Sequence, residues 1–257
     1  MCLLVFALEA SPRYRLIFAG NRDEYHARPT DAAGWWPDAP DVLGGRDLEA
    51  GGTWLAVTRS GRFGVVTNYR ELVDAGPAAR SRGALVADFA RNRAAPLEFG
   101  ATLAMSASLY AGYSLILGDA TGLHYFSNRA SSSSPLPPGI HGLSNERLNT
   151  PWPKLERTRR RFEELLGAGD PHPHALFELL ADRRPAPEGE TPEAGLDADL
   201  ERAISAPFVI SPGYGTRSSS IILADFDGHI RFLERRFGPN GEAIGSSEFE
   251  FRIAKPQ

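Results

Sequence analysis

Cysteine is nearly absent from this chain, whose 257 residues include one, Cys2. A single cysteine excludes an internal disulfide framework, and a protein without disulfides is typical of a reducing compartment. The sequence also shows no basic segment followed by an apolar run and a small-residue cleavage site, because Glu9, Pro12 and Arg13 interrupt the first apolar run. We therefore expect a cytoplasmic protein.

Long apolar runs and an excess of positive charge are missing as well. No apolar stretch approaches the roughly 20 residues that a membrane-spanning helix needs, so the sequence predicts no membrane span. Lys and Arg number 28 against 32 Asp and Glu, a formal charge of −4, which argues against a nucleic-acid partner because nucleic-acid-binding domains carry a basic face. His172 and His174 lack a Cys or carboxylate at metal-ligand spacing, so we predict no metal site.

The composition does provide a core, since 42% of the residues are hydrophobic. We predict one domain over residues 1–257, at the upper end of the usual size range. Helical periodicity predicts helices over 83–93, 150–166, 173–182 and 196–204, all in the middle and later parts of the chain. Alternating and β-branched runs predict strands over 3–8, 16–19, 54–58, 62–68, 113–117, 123–126, 140–144, 208–210, 218–226, 229–236 and 248–253. Residues 26–53 are predicted to be loop. The pattern favours an α+β fold with antiparallel sheets.

Cys2 is the first residue with evident chemistry. We expect removal of Met1 in the cell, because a small side chain follows it, and this would give Cys2 a free α-amine beside its thiol. The amine titrates near pH 8 and the thiol about half a unit higher, so the amine can take the thiol proton and act as its base. A small buried thiol in a first strand is the alternative interpretation.

A hairpin is expected to bring polar residues to Cys2. The apolar runs 3–8 and 16–19 flank a polar, proline-bearing turn. If the turn centres between Ser11 and Pro12, Cys2 lies opposite Asn21, Asp23 lies on the same face, and Arg22 points to the other face. A one-residue slip would exchange these roles.

Several different short motifs are spread along the chain. They are Met1-Cys2, Asn21-Arg22-Asp23-Glu24-Tyr25, Gly45-Arg46-Asp47, Gly51-Gly52-Thr53-Trp54-Leu55, Thr67-Asn68-Tyr69-Arg70, Gly142-Leu143-Ser144-Asn145, Thr150-Pro151-Trp152-Pro153-Lys154 and Gly213-Tyr214-Gly215-Thr216-Arg217-Ser218. In this order they resemble the NRDE-motif family, which is the transport and Golgi organisation protein 2 family.

That family is similar in fold to the N-terminal nucleophile hydrolases, and most of all to the cysteine branch of penicillin V acylases and bile salt hydrolases. The resemblance implies a four-layer αββα sandwich, in which helices flank two antiparallel sheets. It also implies a catalytic set, in which Cys2 is the nucleophile, Asp23 holds its amine, Asn68 donates to the oxyanion, Asn145 corresponds to the second Asn of the acylases, and Arg217 lies near the nucleophile. We expect Asn21, Arg22, Trp54 and Tyr69 to contact substrate. One departure concerns Gly20, since the acylases have an Arg before the Asn of this strand, and it leaves open whether Arg22 reaches the site.

Two functions follow from different classes of protein. The first is a hydrolase that cleaves a non-peptide C–N bond of a small acylated substrate through a Cys2 thioester and needs no cofactor. The second is a non-enzymatic carrier on the same fold that binds haem non-covalently or an acyl lipid, because the family is associated with haem trafficking and acyl-lipid metabolism.

Overall fold

The structure is a computed structural model that describes residues 2–70, 79–130, 133–187, 189–190 and 197–254. The chain divides into two compact units, and each unit is assembled from separate stretches of sequence. The first unit comprises residues 1–27, 138–144 and 148–250. The second comprises residues 28–137, 145–147 and 251–257. No helix in the described part of the chain combines the length and apolar character that crossing a membrane requires.

The first unit is built on an antiparallel sheet whose centre is fully buried. Its strands, in chain order, are β1 (Leu3–Leu8), β2 (Tyr14–Tyr25), β10 (Gly139–Leu143), β11 (Ile210–Ser211), β12 (Tyr214–Asp225), β13 (His229–Phe237) and β14 (Ala243–Arg252). Neighbours in the sheet follow the order β10-β1-β2-β12-β13-β14, with β11 beside β12. All six residues of β1 are buried, as expected for a strand with partners on both sides.

Helices cover one face of this sheet. They are α3 (Pro153–Gly167), α4 (Pro173–Leu180) and the short α5 (Ala198–Ile204). Leu155 and Phe162 recur two turns apart on α3 and pack with Leu3, Val5 and Ile17 of the sheet. Alternate residues of β1 and β2 therefore face the helices, which fixes which polar side chains of β2 point into this layer.

The second unit carries its own antiparallel sheet and helices. The strands are β3 (Thr30–Trp36), β4 (Ala39–Asp47), β5 (Leu55–Thr58), β6 (Phe63–Asn68), β7 (Tyr113–Asp119), β8 (Gly122–Ser127) and β9 (Ser134–Pro135), and they lie side by side in chain order. The helices α1 (Gly83–Arg91) and α2 (Pro96–Ser106) precede a 3-10 turn at Ala107–Leu109. Val86, Phe89 and Phe99 of these helices pack with Leu115 and Leu117 of the sheet.

The α+β architecture with two antiparallel sheets is confirmed, but the predicted loop over residues 26–53 is wrong. Much of that stretch forms β3 and β4, and Trp36 is 3% exposed with its indole N–H donating to the Gly44 carbonyl at 3.0 Å. Glycine residues interrupt the alternating apolar pattern by which strands are predicted. A Cβ atom on Gly44 would lie 2.5 Å from the Leu55 carbonyl oxygen, so the close approach of β4 to β5 requires glycine.

Two further expectations are corrected by local chemistry. The helix predicted from residue 150 begins at Pro153, because a proline restricts the residue before it to extended backbone and Trp152 has φ −65° and ψ 135°. The helix α2 was not predicted at all. It carries apolar residues on all of its faces, so it lacks the one-sided stripe by which amphipathic helices are recognised.

The register of the first hairpin differs by one residue from the prediction. Leu3, rather than Cys2, lies opposite Asn21. The cause is the turn, in which Glu9 N–H donates to the Arg15 carbonyl around an odd number of residues, and the Ser11 hydroxyl accepts from the N–H groups of Arg13 and Tyr14. Asn21 and Asp23 consequently share the face of Leu3 and point toward the helices, while the same register continued by one residue puts Arg22 opposite Cys2.

Candidate active site

Cys2 is a free, buried cysteine at the start of β1. Its side chain is 7% exposed, and the Ser144 hydroxyl donates to its backbone carbonyl at 3.2 Å. Burial raises the pKa of the thiol, and the negative charge of Asp23 raises it further, whereas a backbone hydrogen bond with Asp23 and the charge of Arg22 lower it. Because burial is the largest of these effects, the thiol needs a local base to react near neutral pH.

The Asp23 side chain lies in the helix-facing layer, and both its charge and its backbone act on the Cys2 thiol. It is 3% exposed, and its carboxylate accepts a 2.6 Å hydrogen bond from the Thr216 hydroxyl, which in turn accepts from the Val209 N–H at 2.9 Å. Burial raises the pKa of this carboxyl, while the charges of Lys154 and Arg22 and the bond from Thr216 lower it. The carboxylate is therefore held in a fixed direction by a neighbouring strand.

Lys154 is a buried charged residue near Asp23 that the sequence analysis did not include in the candidate site. It lies in the first turn of α3, is 7% exposed, and donates from Nζ to the Ile204 carbonyl at 2.8 Å. Buried lysines are rare unless they are paired, and the charge of this one acts on Asp23. A signal was present, because Lys154 and Thr158 are one turn apart on the same side of α3 as Leu155 and Phe162.

Asn21 is fully buried and its side chain is already committed to protein partners. Its amide nitrogen donates to the carbonyls of Leu180 and Pro207, both at 2.9 Å, and its oxygen accepts from the Ser219 hydroxyl at 2.6 Å. These bonds tie β2 to the end of α4 and to the segment before β11. The geometry suits a residue that positions Asp23, two residues further along the strand.

Two arginines lie close together at the far end of β2. Arg22 is 7% exposed with Nη2 3.6 Å from Glu24 Oε2, and Arg217 sits at the irregularity in the pairing of β12 with β2. Nη1 of Arg217 donates to the carbonyls of Tyr25 at 2.8 Å and His26 at 3.2 Å. Burial lowers the pKa of Arg217, and the charge of Arg22 lowers it further. This end of the strand therefore concentrates positive charge.

The space around Gly20 explains the departure from the acylase pattern. A Cβ atom on Gly20 would lie 3.0 Å from both Leu4 Cβ and Phe18 Cζ. An arginine at position 20 would have no room in this packing. In the sequence, the arginine follows Asn21, at position 22, instead of preceding it.

The remaining predicted residues lie in the second unit. Asn145 adopts a left-handed backbone with φ +57°, and its amide nitrogen donates to the Asn68 carbonyl at 3.2 Å. The two asparagines are thus brought together. Tyr69 N–H donates to the Gly112 carbonyl at 2.8 Å, and Trp54 accepts from the Val66 N–H at 2.9 Å. The action of these four residues on a substrate stays a prediction.

Metal-ligating side chains do not cluster in the described residues, where no three His, Cys, Asp or Glu residues stand close enough to hold a metal ion. Trp35 and Trp36 cover the edge of the hydrophobic core of the second unit. Trp36 stacks against the guanidinium groups of Arg46 and Arg91 at 4.7 and 4.9 Å, and Trp35 packs on Phe251.

The model of the family described as Transport and Golgi organisation 2 matches residues 1–239. The Transport and Golgi organization protein 2 homologs of Bos taurus and Homo sapiens are 34% and 35% identical, covering 98% and 91% of this chain and 99% and 92% of their own. The Drosophila melanogaster protein is 27% identical over 94% of this chain and 95% of its own.

A similar solved structure is that of the Caenorhabditis elegans N-acylethanolamine-hydrolyzing acid amidase ortholog. It is 12% identical, with a TM-score of 0.48, and the match covers 86% of this chain and 92% of that one. The family match and the relatives extend over nearly all of the sequence. The chain therefore belongs to the transport and Golgi organisation 2 family.

Proposed function

We propose that this chain is a hydrolase that cleaves a non-peptide C–N bond of a small acylated substrate, with Cys2 as its nucleophile after removal of Met1. The observation that carries the proposal is a set of buried groups that act on one another: the charge of Asp23 and a backbone hydrogen bond with it both act on the Cys2 thiol, and the charge of Lys154 acts on Asp23. Burying several ionisable groups together is costly and is typical of functional sites.

The reaction proceeds through a thioester. The α-amine of Cys2 takes the thiol proton, and the sulfur attacks the carbonyl carbon of the amide. The same proton passes to the leaving amine as the C–N bond breaks. Water then attacks the thioester, which releases the carboxylic acid and returns the proton to sulfur. Because burial raises the thiol pKa, the amine is the base that makes attack feasible near neutral pH.

Each remaining residue has a proposed role. Asp23 accepts from the ammonium group that forms during attack and keeps it oriented, and Asn21 holds Asp23 in place. Asn68 and Asn145 donate to the oxyanion, a contribution worth roughly 3–4 kcal/mol per donor in known hydrolases. Arg22 and Arg217 provide positive charge for an anionic or polar part of the substrate. Trp54 and Tyr69 contact the acyl group, which we expect to be apolar because ligand sites are mostly apolar with few polar groups.

The first prediction tests maturation and the nucleophile together. Intact mass of freshly purified protein should show loss of Met1. The wild type should hydrolyse at least one member of a panel of acyl amides and thioesters. Cys2→Ala should reduce that turnover by at least about 10³-fold, since removing a nucleophile has effects of this size or larger. Asp23→Asn should keep the fold and lower turnover by about 10²-fold.

A matched control is Asp170→Asn, which changes an exposed carboxylate 3.5 Å from Arg13 and should leave turnover unchanged. Full retention of Met1, or equal turnover by Cys2→Ala and wild type, contradicts the hydrolase. In that case the carrier of haem or acyl lipid is the better account, and haemin should then shift its Soret band at stoichiometric, micromolar protein.

A further inference from the structure

The second unit contains a cavity that none of the proposed hydrolytic residues lines. It lies between α1 and α2 and has a volume of about 440 Å³, within the range of small-molecule sites. Its floor is apolar, being formed by Leu85, Phe99 and Leu103, which are 1%, 7% and 7% exposed. The same residues belong to the core of the unit, and Phe99 packs edge-on against Phe89 with ring centroids 5.3 Å apart. The floor is therefore a preformed apolar surface.

The rim of this cavity is charged and has a surplus of cations. Arg80, Asp88 and Arg91 line it. Arg80 Nη2 lies 3.0 Å from Asp88 Oδ2, and Arg91 Nη2 lies 2.7 Å from Asp38 Oδ2. Exposed pairs of this kind contribute about 0–1 kcal/mol each. A guanidinium has five N–H donors, so each arginine can also bind an incoming anion.

Among the polar side chains on the rim, Asn92 leaves a donor for a ligand, whereas the hydroxyls of Thr102 and Ser106 leave acceptor oxygens. The Asn92 side-chain oxygen accepts from the Ala94 N–H at 2.7 Å. The N–H groups of the same side-chain amide are therefore the donors that Asn92 can offer to a ligand. The hydroxyl protons of Thr102 and Ser106 are donated to the helix carbonyls of Phe99 and Leu103. An apolar floor and a rim of two guanidiniums and one amide N–H₂ suit a ligand with an apolar body and an anionic head.

We propose that this cavity binds a small carboxylic acid with a compact apolar body, its carboxylate held by Arg80 and Arg91 and its body on Phe99 and Leu103. The planar guanidinium fork matches the geometry of a carboxylate, which can accept two parallel N–H bonds from it. The site is separate from the proposed hydrolytic function and does not depend on it, since Cys2 and Asp23 do not line the cavity.

The second prediction compares two probes of the same shape, 2-naphthoate and the neutral 2-naphthamide, in calorimetric titrations of the full chain. Naphthoate should bind at least about 10-fold more tightly, because a hydrogen bond to a charged group contributes roughly 1.5–3 kcal/mol. Arg80→Ala with Arg91→Ala should remove that preference. Arg93→Ala is the matched control, because Arg93 is exposed and does not line the cavity.

A second pair of variants tests the location. Thr102→Trp should fill the cavity and weaken both probes at least about 10-fold, whereas Ala101→Trp, on an exposed part of α2 outside the cavity, should not. Thermal unfolding should show that all variants remain folded. Equal affinity for the two probes, equal loss in the Arg93 control, or no effect of Thr102→Trp would overturn the proposal. Cys2→Ala should bind naphthoate like the wild type, which separates this result from the hydrolase test.

Discussion

The Asp182 carboxylate forms ion pairs with arginines from two segments of the chain. Arg157 Nε lies 3.2 Å from the carboxylate, Arg161 Nη1 lies at 3.4 Å, and Arg184 Nη2 at 2.7 Å. The carbonyl of Asp182 also accepts from the Phe208 N–H at 2.9 Å. The arginine-rich face of α3 thus meets a carboxylate of its own chain. Leu180 and Pro207, which adjoin this cluster in the chain, accept the hydrogen bonds of the Asn21 amide. The cluster therefore helps to hold Asn21 in the proposed site.

The third prediction concerns the pH dependence of stability at Asp182. Hydrogen bonding to Arg184, aided by the charge of Arg157, lowers its pKa to about 2 from an ordinary 3.8. Because the folded pKa is depressed, the stabilisation is fully present above about pH 4 and is lost as the pH falls toward 2. The shift corresponds to about 2 kcal/mol.

Urea unfolding at pH 6, 4 and 3 measures this effect. Between pH 4 and 3 the free energy of unfolding of Asp182→Asn should fall less than that of the wild type, and the variant should already be less stable at pH 6. Asp170→Asn serves again as the exposed control. Parallel curves for Asp182→Asn and the wild type would show that Asp182 gives no pH-dependent stabilisation.

At this scale the sequence was informative where residues are close in the chain. Cys2, Asp23 and Arg22 could be predicted to meet because one hairpin joins them. Thr216, Ser144 and Lys154 could not, since they reach the site from strands and a helix that lie more than 100 residues away in sequence. Nothing local predicts such pairings.

Among the elements, the first hairpin depends on the packing of Gly20 as well as on its turn. Both Leu4 Cβ and the Leu3 carbonyl oxygen lie within 3.2 Å of where a Cβ atom on Gly20 would be. These are backbone-proximal atoms that cannot rotate away. Any side chain at this position therefore requires β1 and its neighbours to shift by a few tenths of an ångström, in the pairing that sets the face of Asp23.

The fourth prediction compares two Gly→Ala substitutions of opposite sign. Gly20→Ala should lower the free energy of unfolding by about 1–3 kcal/mol, because it overpacks a buried site. Gly167→Ala, at the end of α3 where nothing lies within 4 Å of the new Cβ, should raise it by up to about 1 kcal/mol through helix propensity. Chemical denaturation at neutral pH measures both, and a neutral Gly20→Ala would contradict the packing argument.

Elements with a clear period were predicted well, and those without one were not. The strands β5, β6 and β7 and the helices α1 and α4 follow their apolar patterns closely. The strands β3 and β4 were missed because glycine and aspartate interrupt them, and tertiary packing of Trp36 and Val42 overrides these weak local preferences.

For the whole molecule, residues beyond the family match contribute to both compact units. The match ends at residue 239, whereas β14 begins at Ala243. Residues 243–250 belong to the first unit, and residues from 251 onward belong to the second. There Phe251 packs on Trp35 with centroids 5.1 Å apart, and Ala254 N–H donates to the Arg59 carbonyl at 2.8 Å.

The fifth prediction is that deleting residues 240–257 lowers the melting temperature more than Phe251→Ala does in the full chain. The substitution removes one aromatic contact, whereas the deletion also exposes the edge of β13 and removes the cover over Gly61. A loss of a few kcal/mol would shift the melting temperature by about 5–10 °C in a chain of this size. An unchanged melting temperature after the deletion would show that β14 is dispensable.

The pairing of strands that form hairpins could be predicted, but the order of the strands within the first sheet could not. Neighbouring strands such as β7 and β8 follow from their turn, whereas β12 pairs with β2 and β10 pairs with β1 across long stretches of sequence. The single domain over residues 1–257, the stacking of the layers and the cytoplasmic location stay predictions.

The pairing of β2 with β12 has a consequence for the order of events during synthesis. Asn21 lies opposite Ser219 in the finished sheet, so almost the whole chain must be synthesised before β12 can pair with β2. Domains with such distant pairings fold slowly and late. The removal of Met1 that we propose therefore has most of the time of translation in which to occur before β12 pairs with β2.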